Sequence, residues 1–431
     1  MNMSENVKGQ VQCAGAARKP TMWACLAHSD KCPVIRSILL PSFFLLLLAG
    51  CGGGGGSSSP APPPASTATA PEPQPSWGYV QPADLSDGWP VSNLAAEAID
   101  DGPITDLMVS MVDNDLGIDA VSIARNGSLV LDELVRTELA ENDNEAGNTD
   151  LNLHAVYSVT KSFNATLVGI AIDQGLFRLE DTVLDMFPQY DPVANPDMRK
   201  SAITVENFLT MQHGFNWDEL TRPYGDPENS LSIAVENCTD YVACLLDLPM
   251  LSDPGTAFAY STHVSLTLGA MVEDQAGLDY ELYMIENLLN PLQITDHLWA
   301  PDTPAGRTKT GSGLFLSSRD MTKLGQLYLD SGRWNGSQVV SESWVTASVT
   351  DHVDLPGNIY LKGYGFQWWT YELSGLTAYA AVGFGGQYVI VIPDEKLVVT
   401  FTSRNYDTGD DISFPLTLVV DYVLPAINRS S

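Results

Sequence analysis

An α/β fold of the α+β kind, two-lobed and with a crevice between the lobes, is what this sequence predicts. Three observations predict it. Alternating apolar runs flank Asn126-Gly127 near the start of the globular part, helical spacing dominates roughly 151–330, and strand patterns return from Gly365 onward. Sheet material at both ends with helices between them implies one sheet closed by both ends of the domain, with a helical region inserted into it.

The elements follow in chain order. Residues 1–50 carry five basic and two acidic residues, then an apolar run from Ile38 to Leu48, then small residues. That is the layout of an export signal, and the run is short for a permanent membrane span. Leu48-Ala49-Gly50-Cys51 resembles the bacterial lipobox, which makes Cys51 the expected lipidation site and the mature N-terminus. Gly52–Gly56, Ser57–Ser59 and a Pro/Ala/Ser/Thr stretch ending near Ser76 form a tether that is flexible first and stiffer after Pro60. The globular domain is expected over 77–431, its sheet lobe drawn from about 77–150 and 332–431 and its helical lobe from about 151–331.

Within that domain the spacing predicts a helix over 93–114, then strands over 117–125 and 128–137. The Asn126-Gly127 dipeptide joining them is a strong short hairpin signal. Helices are predicted over 161–175, 204–212, 265–277, 280–289 and 318–331. Strands follow over 365–371, 376–382, 387–392 and 397–403, and a last helix covers about 412–426.

Charge excludes one class of function. The chain has 21 basic and 53 acidic residues, a formal net charge of −32, which repels phosphate backbones. No nucleic-acid partner is expected. Of six cysteines, Cys238 and Cys244 fall in the globular domain, and export to an oxidising compartment makes a Cys238–Cys244 disulfide the expectation. The histidines are spread out without a His-Glu-x-x-His, so no metal or other cofactor is expected. No Gly-x-Ser-x-Gly elbow occurs either.

Ser158-Val159-Thr160-Lys161 is the first chemistry-bearing segment. A serine at the start of a helical pattern sits at the positive end of the helix dipole, and a lysine three residues on shares its face. In a closed crevice that lysine loses solvation of its charged form and becomes a mobile-proton base. Lys161 is alone among the lysines in having serine three positions earlier. The second segment is Tyr260-Ser261-Thr262, after the turn Asp253-Pro254-Gly255-Thr256 and before a helix; a tyrosine beside a lysine can hold its phenolate form or shuttle a proton. Tyr406-Asp407-Thr408 fits the same pattern, but the position before a helix favours Tyr260.

Together these residues resemble the serine-reactive hydrolases that include class C β-lactamases, D-alanyl-D-alanine carboxypeptidases, related esterases and 6-aminohexanoate-dimer hydrolases. The likeness runs from about Trp89 to Ala426. It includes Ser158-Val159-Thr160-Lys161-Ser162-Phe163, Leu209-Thr210-Met211-Gln212-His213-Gly214-Phe215-Asn216-Trp217, Gly313-Leu314-Phe315-Leu316-Ser317-Ser318-Arg319-Asp320-Met321 and Gly386-Gln387-Tyr388-Val389-Ile390-Val391-Ile392-Pro393. The resemblance implies a β-lactamase/transpeptidase-like fold, an antiparallel sheet flanked by helices. It also implies an acyl-enzyme mechanism in which Ser158 attacks a carbonyl while Lys161 and Tyr260 manage the proton. Thr262 stands where relatives often carry Asn.

The third family motif, Lys-Thr-Gly or His-Thr-Gly, is missing. The comparable stretch is Ala381-Val382-Gly383-Phe384-Gly385-Gly386, without a cation. Gly383 and Gly385 are read as letting substrate approach the strand backbone, with the main-chain N–H groups of Ser158 and Phe384 as the oxyanion hole. Trp217 and Thr262 are further substrate-contact candidates; Trp368 and Trp369 are read as core. Without the cation, a carboxylate next to the scissile bond goes unmet, so an uncharged ester or amide is the expected small-molecule substrate. The leading reading is an exported, lipid-anchored serine hydrolase of the bacterial envelope, on the esterase and aminohexanoate-dimer side of the family. A cell-wall carboxypeptidase or β-lactamase, and a silent penicillin-binding-like protein, are the alternatives. Oligomeric state is not encoded in these signals.

Overall fold

The computed structural model describes residues 77–355, 359–406 and 413–428. The leader, Cys51 and the tether lie outside the described residues.

Helix α1 (Asp101–Asp113) starts later than the predicted 93–114, because the Asp100 side chain accepts from the Gly102 N–H and sets the N-cap there. Strands β1 (Ile118–Arg125) and β2 (Ser128–Leu134) form the expected hairpin. Asn126 (φ 52°) and Gly127 (φ 86°) both take the positive φ that a type I′ turn requires. Helix α2 (Val159–Asp173), α3 (Thr262–Ala276) and α4 (Ser318–Leu329) come from the middle of the chain. The remaining main-sheet strands are β3 (Val353–Asp354), β4 (Leu361–Tyr364), β5 (Trp369–Leu373), β6 (Leu376–Gly383), β7 (Gln387–Ile392) and β8 (Leu397–Ser403).

These strands make one eight-stranded antiparallel sheet in the order β2-β1-β8-β7-β6-β5-β4-β3. Strand β1 pairs with β8 from Ile118 opposite Ser403 to Arg125 opposite Leu397. The two ends of the domain therefore close one sheet, as the sequence predicts. Strands β1, β7 and β8 are buried along their whole length, including the polar Gln387 of β7 and Thr400, Thr402 and Ser403 of β8. Helix α4 packs on β8, β1 and β7, while α2 packs on α3 and reaches β6 and β7.

Two differences from the sequence reading have local causes. The predicted strand 365–371 starts only at Trp369, since Gln367 (φ 60°) and a Gly365 N–H donating to the Trp368 carbonyl make a tight turn first. The chain also forms short helices at Ser230–Asn237, Tyr241–Asp247 and Glu342–Ser348 that the spacing did not announce. Cys238 and Cys244 are joined by a disulfide, with Cα atoms 6.2 Å apart. A small second sheet places His154–Ala155 beside Leu314–Leu316, and Leu298–Trp299 on the far side of the latter. It ties the segment before Ser158 to the segment after Gly311.

Candidate active site

Every residue of α2 from Val159 to Ala171 is buried, so its polar side chains need internal partners. They have them. Asn164 donates to the Ser265 carbonyl and accepts from the Tyr280 hydroxyl; Ser162 donates to the Gln367 carbonyl. Ser158 sits at the N-cap of this fixed helix in αR conformation and its side chain makes no capping bond, which leaves Oγ to other partners. Just before it, Tyr157 has φ 46°, a left-handed conformation that costs a bulky residue on the order of 1–3 kcal/mol. The turn into α2 thus combines a left-handed residue with a hydroxyl withheld from its helix.

Lys161 is 1% exposed. Its Nζ lies 3.0 Å from Ser158 Oγ, 3.0 Å from Thr262 Oγ1 and 2.8 Å from the Gly311 carbonyl oxygen. The Tyr260 ring centroid is 4.9 Å away. Burial pulls the Lys161 amine down to about 8, against a smaller upward pull from the Glu219 carboxylate.

Tyr260 hydrogen-bonds Ser158 and is 4% exposed. Burial first, and Glu219 second, push its phenol well above the ordinary tyrosine value. Of the two roles the sequence leaves open for Tyr260, a held phenolate or a proton shuttle, burial beside Glu219 favours the protonated, shuttling phenol. Tyr406, the other tyrosine with a fitting pattern, packs against Tyr157 and Phe384 instead, with centroids 5.6 and 5.4 Å apart.

The rest of the second motif divides into distinct tasks. Ser261 caps α3 by accepting from the Val264 N–H. The Thr262 hydroxyl, expected to face substrate, is instead held between Lys161 and the buried carboxylate of Glu219, to which it donates at 2.6 Å. Trp217, the other expected substrate contact, is also turned inward. Its indole N–H donates to Glu219 Oε2 at 3.1 Å and its ring lies 5.0 Å from that of His263. Trp368 is core, whereas Trp369, also buried, stacks on Tyr260.

The third-motif strand ends where the sequence analysis places it, next to the nucleophile. A Cβ on Gly383 would overlap the Val156 carbonyl oxygen, and one on Gly385 (φ 82°) would run into the Tyr406 ring. Both glycines thus serve close packing of the chain on itself. The Phe384 ring sits edge-on to Tyr157 (5.6 Å) and Tyr224 (5.2 Å), so aromatic rings surround the stretch in which the sequence analysis finds no cation. Among the described residues no group of His, Cys, Asp and Glu is arranged to hold a metal ion.

Sequence reasoning missed Glu219, Tyr224 and Gly311. Glu219 is one of 53 acidic residues, and nothing in the local pattern around it announces burial. Gly311 contributes only a carbonyl, which no side-chain motif can reveal.

Comparison with known proteins bears on the family and the fold. Residues 110–416 match the beta-lactamase family model. An acyltransferase of Monascus pilosus is 30% identical over 156 residues, covering 32% of this chain and 36% of that protein. A 6-aminohexanoate-dimer hydrolase of Paenarthrobacter ureafaciens is 27% identical over 253 residues, covering 53% of this chain and 56% of the relative. These alignments therefore span well under two thirds of either relative's length. Among solved structures, a family VIII carboxylesterase superposes with a TM-score of 0.57 at 16% identity, covering 77% of this chain and 98% of that one.

Proposed function

This chain belongs to the beta-lactamase family, and from that premise we propose that it is a serine hydrolase cleaving an uncharged ester or amide through an acyl-enzyme on Ser158. The observation that carries the proposal is the convergence of Ser158 Oγ, Lys161 Nζ at 3.0 Å and the Tyr260 hydroxyl in one buried cluster.

Ser158 Oγ attacks the substrate carbonyl carbon and passes its proton to the neutral Lys161 amine. The carbonyl oxygen becomes an oxyanion, for which the main-chain N–H groups of Ser158 and Phe384 are the proposed donors. The C–O or C–N bond to the leaving group then breaks. The Lys161 ammonium proton reaches the leaving group through the Tyr260 phenol, which gives one proton and takes another. Water attacks the acyl-enzyme by the same steps in reverse, returning Ser158 and a carboxylic acid.

The stretch 381–386, which carries no lysine or histidine, supports the substrate class, since no cation of that motif meets the carboxylate of a β-lactam or a D-alanyl terminus. The test is turnover of p-nitrophenyl esters, 6-aminohexanoate dimer and a cephalosporin by the purified protein. Short-chain esters are expected to turn over first, and a cephalosporin hydrolysed faster than the ester would refute the substrate assignment. A fluorophosphonate probe should label wild type and not Ser158→Ala; equal labelling would remove the nucleophile. We further propose that the protein is exported and lipid-anchored through Cys51, a reading supported by the leader, the tether and a disulfide suited to an oxidising compartment. Labelled fatty acid incorporated by the full chain and lost in Cys51→Ala is the expected result.

A further inference from the structure

Glu219 is 2% exposed, and four donors converge on its carboxylate. Oε1 accepts from the Thr262 hydroxyl at 2.6 Å and the Tyr224 hydroxyl at 3.3 Å; Oε2 accepts from the Thr262 N–H at 2.7 Å and the Trp217 indole N–H at 3.1 Å. The ionised carboxylate, an acceptor on every lone pair, is the form that matches all four. Thr262 has a single hydroxyl proton, and this arrangement commits it to Glu219. Towards Lys161, the threonine oxygen can then only accept.

Counting hydrogens on the lysine gives the consequence. A neutral amine has two N–H bonds and one lone pair. Its neighbours at Thr262 Oγ1 and the Gly311 carbonyl both require a donated hydrogen. With both hydrogens taken, the lone pair is left facing the third neighbour, Ser158 Oγ. Were Thr262 free to rotate, its hydroxyl could donate to Nζ and occupy the lone pair the serine proton needs.

We propose that Glu219 is a positioning residue for the reaction: acting through the Thr262 hydroxyl, it aims the Lys161 lone pair at Ser158. The proposal rests on the reading of Ser158 as nucleophile and Lys161 as its base. Glu219 also favours the protonated lysine, against the larger opposite effect of burial. The other titratable groups around the cluster are Tyr260, with Tyr364 and Tyr371 behind it, Tyr224 and His263. Burial holds Tyr260, Tyr224 and Tyr364 as neutral phenols and lowers His263 to about 3, so it too is neutral.

The test is the pH dependence of kcat/KM for a short-chain ester in wild type, Glu219→Gln, Thr262→Ser and Thr262→Val. In Glu219→Gln the amide NH₂ donates where an acceptor stood, turning the Thr262 proton towards Lys161. The rate should fall about 100-fold, within the usual range for loss of a positioned base. Loss of the negative charge favours the neutral amine, so the acid limb should also move to lower pH. Thr262→Ser keeps the hydroxyl and should stay within a few-fold of wild type. Thr262→Val keeps the carboxylate, and should lose rate without any downward shift of the limb.

An unmoved limb in Glu219→Gln, whether or not the rate falls, overturns the proposal. So does a Thr262→Val enzyme as fast as wild type. If Glu219→Gln fails to fold, as judged by circular dichroism, the contrast between Thr262→Ser and Thr262→Val decides alone: an active serine with an inactive valine supports the bridge, and any other outcome overturns it. Ser158→Ala, run in parallel, separates the two levels, because ester turnover surviving in that variant indicts the nucleophile and not the bridge.

Discussion

The Tyr260 ring stacks on Trp369, with centroids 5.7 Å apart and planes 27° from parallel. Tyr364 closes the stack edge-on, 6.4 Å from Tyr260 and 4.8 Å from Trp369. A proton-relay phenol must hold its oxygen within a few tenths of an ångström, and an aromatic stack restrains ring rotation in a way that a single hydrogen bond does not. Trp369→Ala should therefore lower kcat about tenfold with little change in KM, and Trp369→Phe should recover most of the loss. Steady-state kinetics on a p-nitrophenyl ester would check this; a pure KM effect would show that the tryptophan contacts substrate instead.

The wild-type pH profile follows from the protonation of the lysine. The proposed acylation step needs Lys161 neutral, and burial brings its amine to about 8. The phenol of Tyr260 is held protonated far above that. Below about 8, kcat/KM should thus rise about tenfold per pH unit and then level off as the neutral amine becomes the major form. A profile flat from pH 6 to 9 would rule out a lysine base of this kind.

Gly311 leaves no room for a side chain. A Cβ there would stand 2.9 Å from both Thr262 Cγ2 and the Thr262 carbonyl oxygen. Gly311→Ala must push the loop off α3 and carry its carbonyl away from Lys161, whose Nζ it now accepts at 2.8 Å. Overpacking of this sort costs roughly 1–3 kcal/mol. The expected result is a lower melting temperature together with a kcat loss of about 100-fold, since general-base catalysis contributes about that much. Melting unchanged and activity intact would mean that the loop relaxes freely and the carbonyl is dispensable.

How much of this was legible in the sequence depended on whether the signal was local. Strands β7 and β8 match the predicted 387–392 and 397–403 to the residue because β-branched and aromatic residues crowd both segments. Ser158 and Lys161 were legible because one helical turn joins them. The start of α3 was not: apolar spacing points to Ser265, whereas the Ser261 cap begins the helix at Thr262. Glu219 was invisible for a deeper reason. Its partners Thr262, Trp217 and Tyr224 meet only after folding, with Thr262 lying 43 residues along the chain. The Trp217 indole and the Thr262 hydroxyl carry no mark of which way they turn, so both read as surfaces for substrate when they are supports behind the lysine.

Gly385 offers a test of whether the aromatic wall is held by the chain itself. It has φ 82°, in a region where an L side chain is strained by roughly 1–2 kcal/mol, and a Cβ there would run into the Tyr406 ring. Tyr406 packs on Tyr157, which precedes the nucleophile, and on Phe384, whose N–H is a proposed oxyanion donor. Gly385→Ala should therefore cost both stability and turnover. Gly375 is the matched control, since it lies in the hairpin at the other end of β6 with φ 81° and open space where a Cβ would stand. Gly375→Ala pays the backbone strain alone and should lose a few degrees of melting temperature with ester turnover unchanged. If the two variants lost activity equally, the Tyr406 contact would have no part in shaping the site; if only Gly385→Ala did, the wall and the nucleophile turn form one packed unit.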